Sequence, residues 1–260
     1  GEVNLELKNL NIAGKAKALF ANKDFRYWFA DFQIDNSNTS DSPLRIQQVV
    51  GGLSYKMKRV DGAMAWSYSN SAYAPDAKLG IGLRAGAKAT FGSGETFKAK
   101  LFLELQYNSN GGLNRLYFLG EGALMSENKQ IDGNVTLPWS SYEAIYAGPD
   151  GAELKKYLSN GNLLKITKRA HPVSEVAKDG KIGLFVSIEK DFEHDTFDGL
   201  FEAYLKLQGL KGSGENNKFG MVHLYSSPSK SYLHVGTPVD KLGAIFKIGI
   251  YDVNVGAYFM

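Results

Sequence analysis

The chain has no cysteine among its 260 residues. That removes a thiolate nucleophile, a zinc ribbon and a dithiol redox pair in one step. It does not weaken the fold, because a chain of this length buries roughly 70–75 % of its unfolded surface and needs no covalent staple. A marked excess of one charge is also missing: 30 basic against 27 acidic residues give a net charge of +3. The basic residues are scattered singly rather than gathered into a stripe, so nucleic acid is not an expected partner. No long apolar run exists either. The longest uncharged stretch, Gly62 to Pro75, is rich in Ser, Tyr and Ala and ends at a proline, which excludes a membrane-spanning helix of about 20 apolar residues. The chain opens Gly1-Glu2-Val3 rather than with methionine and a basic apolar leader. This is what a processed chain, or part of a larger polypeptide, would show.

What the chain does have is period two, the signature of strands whose successive side chains leave opposite faces. Leu79, Ile81, Leu83, Ala85, Ala87, Ala89 and Phe91 alternate with Gly80, Gly82, Arg84, Gly86, Lys88 and Thr90. After Gly92-Ser93-Gly94-Glu95 the pattern resumes as Phe97, Ala99, Leu101, Leu103, Leu105 and Tyr107 against Lys98, Lys100, Phe102, Glu104 and Gln106. This reads as a long hairpin. Asn108-Ser109-Asn110-Gly111-Gly112 supplies positive-φ residues for a second reversal into Leu116–Gly120, giving a meander. The same logic predicts strands near 3–9, 14–21, 25–34 and 46–58, and later near 181–189, 199–209, 219–226, 231–236, 244–251 and 253–259.

Between Trp139 and Gly180 the period changes. Ser140-Ser141-Tyr142-Glu143 and Asp150-Gly151-Ala152-Glu153 have the form of helix capping boxes, and Asn160-Gly161 that of a helix stop. The expected fold is therefore mainly β: an antiparallel sandwich or barrel-like sheet of sequential hairpins, with a small α-helical insertion around 139–160. Residues 1–260 are read as one β-rich domain, with a sub-division at the 139–180 insertion as the alternative.

Local motifs for chemistry are few. A hairpin turning at Pro228-Ser229 sets Tyr225 opposite Tyr232 and His223 opposite His234, with Cβ atoms of each pair about 4.5–5.5 Å apart. These four residues are the candidate binding site. Val222, Leu224, Leu233 and Val235 form the other face and are taken as the core side. Two histidines alone do not make a metal site, which wants three or four ligands. The run Asp191-Phe192-Glu193-His194-Asp195-Thr196-Phe197-Asp198 holds oxygen ligands of the calcium type in Glu193, Asp195 and Asp198. Its spacing does not match an EF-hand loop, so a solvated turn is the simpler reading. The glycines at 80, 82 and 86 fall inside a strand and are not a dinucleotide fingerprint. Glu104 and Glu121 sit on neighbouring strands, too far along them to act as an acid/base pair, which needs about 5–9.5 Å. No catalytic residue and no cofactor is expected.

The segment from Met221 to Met260 resembles parts of large envelope or secreted proteins of Bacteroidetes-type bacteria. In those proteins an aromatic strand leads into a Gly-Thr-Pro turn, as Tyr232-Leu233-His234-Val235-Gly236-Thr237-Pro238 does here. The resemblance implies a location in the cell envelope or outside the cell, and a multidomain context. The leading expectation is a non-catalytic binding or structural module with a protein or glycan partner. The first alternative is an outer-membrane β-barrel, since strands 79–91 and 97–107 reach the 9–11 residues that a tilted spanning strand requires. Against it stand later strands that read as shorter and mixed-faced, and the polar middle insertion. A glycan-active enzyme with carboxylates on separate strands is the second alternative.

Overall fold

The structure, a computed structural model, describes residues 2–7, 12–22, 24–36, 43–59, 73–92, 97–125, 139–140, 171–172, 180–236 and 241–259. The first four long strands are β1 (Glu2–Leu7), β2 (Ile12–Asn22), β3 (Arg26–Asn36) and β4 (Leu44–Tyr55). Lys56, at a positive φ of 53°, breaks the chain away into the short ribbon β5 (Met57–Arg59) and β6 (Tyr73–Pro75). The central meander follows as β7 (Leu79–Phe91), β8 (Phe97–Asn108) and β9 (Leu113–Leu124). A two-residue pair, β10 (Trp139–Ser140) with β11 (His171–Pro172), precedes β12 (Ile182–Asp191) and β13 (Thr196–Leu207). The chain closes with β14 (Leu210–Gly212), β15 (Lys218–Ser227), β16 (Lys230–Val235), β17 (Leu242–Ile248) and β18 (Tyr251–Ala257).

Fourteen of these strands form one antiparallel sheet in the order β1-β2-β3-β4-β7-β8-β9-β12-β13, which then forks. One branch is β15 and β16; the other is β14, β17 and β18. The mainly β, hairpin-built antiparallel architecture expected from the period-two pattern is present, with fourteen of the described strands hydrogen-bonded in one sheet. The fork arises because the first part of β13 pairs with β15 while Lys206 and Leu207 pair with β14, beyond an irregularity at Ala203/Tyr204.

Trp139 and Ser140 form a short strand, and the rest of the expected insertion, 141–160, lies outside the described residues. Of the later strands, β12, β13 and β15 run for 10, 12 and 10 residues, and β14, β16, β17 and β18 for 3, 6, 7 and 7, against 13, 12 and 12 for β7, β8 and β9. One expectation needs correction, namely which face is buried. On β7 the buried residues include Arg84, Lys88 and Thr90, while Ile81, Leu83, Ala85 and Phe91 are exposed. On β8, Lys98, Lys100, Phe102, Glu104 and Gln106 are buried, and Phe97, Leu101 and Leu103 are exposed. The same inversion holds on β12, β13 and β15, so that Leu224 and Leu233 lie outward and His223 and Tyr225 inward. The face of the His/Tyr hairpin taken as the core side is thus the exposed one.

The inner face is nevertheless a packed core. Val50, Phe102, Tyr117, Leu119, Phe185, Leu200, Tyr204 and Met221 form a buried cluster across β4, β8, β9, β12, β13 and β15. Around it lie the buried ionic side chains. Glycine makes one of their contacts possible: Gly52 stands opposite both Asp31 and Arg84. With no side chain there, the Arg84 guanidinium reaches across β4 to Asp31 at 2.6 Å.

Candidate functional site

Two surfaces stand out once the faces are assigned: the polar inner face, and the apolar outer face. The inner face is organised by pairs between strands. Lys100 on β8 and Glu121 on β9 stand opposite each other at 3.6 Å, both with fully buried side chains. Arg115 on β9 pairs with Glu189 on β12. Glu202 on β13 accepts from Tyr204 Oη at 2.6 Å and pairs with Lys218 on β15 at 2.8 Å. An isolated buried charge is strongly disfavoured, so such groups persist inside a protein when they are paired and hydrogen-bonded.

The His/Tyr candidates come together as the register predicts. His223 faces His234 and Tyr225 faces Tyr232. Tyr232 stacks on Tyr225 with centroids 5.3 Å apart and on His234 at 4.5 Å, while His223 meets the edge of Tyr232 at 5.2 Å. The ladder is buried at His223 and Tyr225 and half-buried at Tyr232 and His234. Its missing member was Asp198, whose Oδ1 lies 2.8 Å from His223 Nε2. Sequence proximity had grouped Asp198 with Glu193 and Asp195, but strand alternation carries it inward, on the same face as Leu200 two residues on, which faces His223.

Glu193 and Asp195 stay in the β12–β13 turn. Asp191 caps that turn, accepting from the backbone N–H of Glu193 at 2.9 Å and of His194 at 3.0 Å. Asn114 donates to Glu193 at 3.3 Å, and Lys190 pairs with Asp195. Glu193, Asp195 and Asp198 therefore point to three separate partners. Among the described residues no group of three or more His, Asp or Glu side chains is arranged to hold a metal ion.

Beside this turn lies a cleft of about 70 Å³ lined by polar groups that include Glu104, Gln106, Asn114, Arg115 and Asp191. That is room for roughly two waters, far below the 300–1,000 Å³ of an ordinary small-molecule site. Glu104 faces Tyr117. Glu121 is thus four residues beyond, and the two carboxylates remain apart.

The outer face was not legible as a site in the sequence, yet it is the more distinctive surface. Aliphatic side chains occupy its middle: Leu53, Leu83, Leu101 and Leu103 are 46, 37, 48 and 39 % exposed. Aromatic rings stand at both ends and in the middle, where Phe32 and Phe201, level with Leu103 and Leu101, are 43 and 39 % exposed. Near the turn end, Phe20 stacks on Trp28 at 6.1 Å and Trp28 on Tyr55 at 6.4 Å. At the opposite end Phe91 stands beside Phe97, both exposed. Tyr55 faces Ile81 and Phe91 follows ten residues later on the same strand (91 − 81 = 10). That is roughly 34 Å along the strand, or about 26 Å along the normal at a tilt of about 40°. No helix among the described residues is long and apolar enough to cross a membrane, a statement that does not bear on strands.

Fold and faces together define a class: a large antiparallel sheet, ion-paired within and apolar and aromatic without. Comparison with known proteins finds no family model, no curated protein and no solved structure that matches the chain.

Proposed function

We propose that this chain is a membrane β-sheet protein, acting as a non-catalytic structural module of the cell envelope with its outer face against lipid. The observation behind this reading is the inversion of faces. Lys98, Lys100 and Glu121 are at most 2 % exposed, while their outward neighbours Leu101 and Leu103 are at least 39 % exposed. In water each half-exposed leucine would forfeit roughly 1 kcal/mol of burial, and many such residues in one band make an apolar patch larger than a soluble monomer usually tolerates. Hydrocarbon removes that cost. Spanning strands of about ten residues alternating apolar-out and polar-in, an apolar band of about 25 Å and aromatic girdles at both interfaces are the general properties of membrane sheets. The β2–β3, β8–β9, β12–β13 and β15–β16 connections at one end are turns of two to four residues, also in keeping with such a sheet.

The reading is tested by diluting the denatured chain into lipid vesicles and floating them on a density gradient. The expected result is a β-rich protein that floats with the lipid and resists alkaline extraction. A monodisperse, β-rich particle in plain buffer, with no protein in the floated fraction, overturns it.

A further inference from the structure

Among the described residues the second branch of the sheet ends in an open edge. β18 pairs with β17 on one side and terminates the strand order, and all seven of its residues are exposed. Edge strands are normally blunted by lysine, proline or a bulge. The sequence Tyr251-Asp252-Val253-Asn254-Val255-Gly256-Ala257 contains neither lysine nor proline, and its register with β17 is unbroken. One face is apolar: Tyr251, Val253 and Val255 are 70, 41 and 58 % exposed. They continue across the hairpin into Phe246 and Ile248, which face Val253 and Tyr251 and are 41 and 63 % exposed.

We infer that this edge docks a second copy of the chain, β18 against β18, antiparallel about Asn254. The strand is self-complementary in that register. Val253 then faces Val255, Tyr251 faces Ala257, and Asn254 faces its own equivalent. The strand's single charge, Asp252, meets Gly256 rather than a like charge, which would be destabilising directly opposite. Because the shift is symmetric about one residue, the odd-numbered positions of both copies stay on one face, and the two apolar stripes merge into one. A two-fold contact of this kind closes on itself and does not propagate into a fibre. Seven paired residues make a small interface, so the dimer forms in a concentration-dependent way.

The inference goes beyond the membrane reading, and its test reads the same in buffer or detergent. The chain has no cysteine, so single-cysteine variants report cleanly. In the proposed register an Asn254→Cys residue lies opposite itself with Cα atoms about 4.5–5.5 Å apart, within disulfide reach. Under mild oxidation Asn254→Cys is expected to form a covalent dimer at least about tenfold faster than Ser109→Cys in the β8–β9 turn. A mixture of Tyr251→Cys and Ala257→Cys should link faster than either alone. Light scattering on the cysteine-free chain should show a mass rising towards twofold with concentration. Asn254→Lys, which sets two like charges face to face, should hold it at the monomer with its β signal intact. Equal rates for Asn254→Cys and Ser109→Cys, or an Asn254→Lys variant that still dimerises, overturns the inference.

Discussion

Replacing Leu101 with arginine separates the membrane reading from its soluble rival. Leu101 faces Ala87 and Gly120 on the outer face, near the middle of the band between the Tyr55 and Phe91 levels, and is 48 % exposed. In lipid an outward arginine near the midplane costs about 2–4 kcal/mol, or roughly 30- to 900-fold in the folding equilibrium. In water the same change at a half-exposed site stays within about 0.5 kcal/mol and improves solubility. The matched control is Leu124→Arg, on the same face at the rim beside Phe97 and 40 % exposed, where the lipid cost falls to about 0–1 kcal/mol. Equilibrium unfolding by urea in lipid vesicles measures both, with the wild type as reference. A large loss at Leu101 with little at Leu124 is the expected depth dependence. Equal and negligible losses at both positions would refute the assignment of this face to lipid.

Three further outcomes follow from the inner face. Lys100→Met leaves Glu121 buried without its counter-charge and should lose about 3–5 kcal/mol, whereas Lys100→Met with Glu121→Leu should recover most of it; a double variant no more stable than the single one would count against the pair. Gly52→Val fills the space through which Arg84 reaches Asp31, so its loss and that of Arg84→Met should be strongly non-additive in a double-mutant cycle; simple additivity would mean that the bridge over β4 is not formed. Asp198→Ala should cost about 1–3 kcal/mol by leaving His223 without its acceptor, and should move the His223 ring signals in an NMR spectrum; unchanged signals would place Asp198 elsewhere.

The strands themselves were written plainly in the sequence. Both histidine-hairpin pairs fell in the register that a turn at Pro228-Ser229 dictates, because a two-residue loop fixes pairing without help from the rest of the fold. The positive-φ glycines of the β8–β9 turn, Gly111 and Gly112, are where the turn chemistry put them. The choice of buried face was not legible, for a physical reason. Alternation says which side chains share a face, but it is symmetric with respect to which face is inside. The habit of placing Leu224 and Leu233 in the core therefore failed where the polar partners across the sheet, Asp198 for His223 and Glu121 for Lys100, were invisible in the local sequence. Those partners lie one or more strands away, and only the register brings them together. Gly52 is a similar case, since its importance comes from two neighbours on two other strands.

The inner face also bears on what kind of membrane module this would be. Phe102, Tyr117 and Phe185 are at most 1 % exposed on the inner side of neighbouring strands. They are flanked by the Lys100–Glu121 and Arg115–Glu189 pairs, and the cleft beside the β12–β13 turn has space for about two waters. Buried ion pairs of this kind add little net stability over apolar packing, but breaking one is expensive. A sheet with its lysines and carboxylates matched strand by strand therefore resists slipping in register, since a one-residue slip would turn each charge towards the lipid. Depth-dependent losses on the outside, together with pairwise losses on the inside, are the joint signature that the proposed membrane sheet should show.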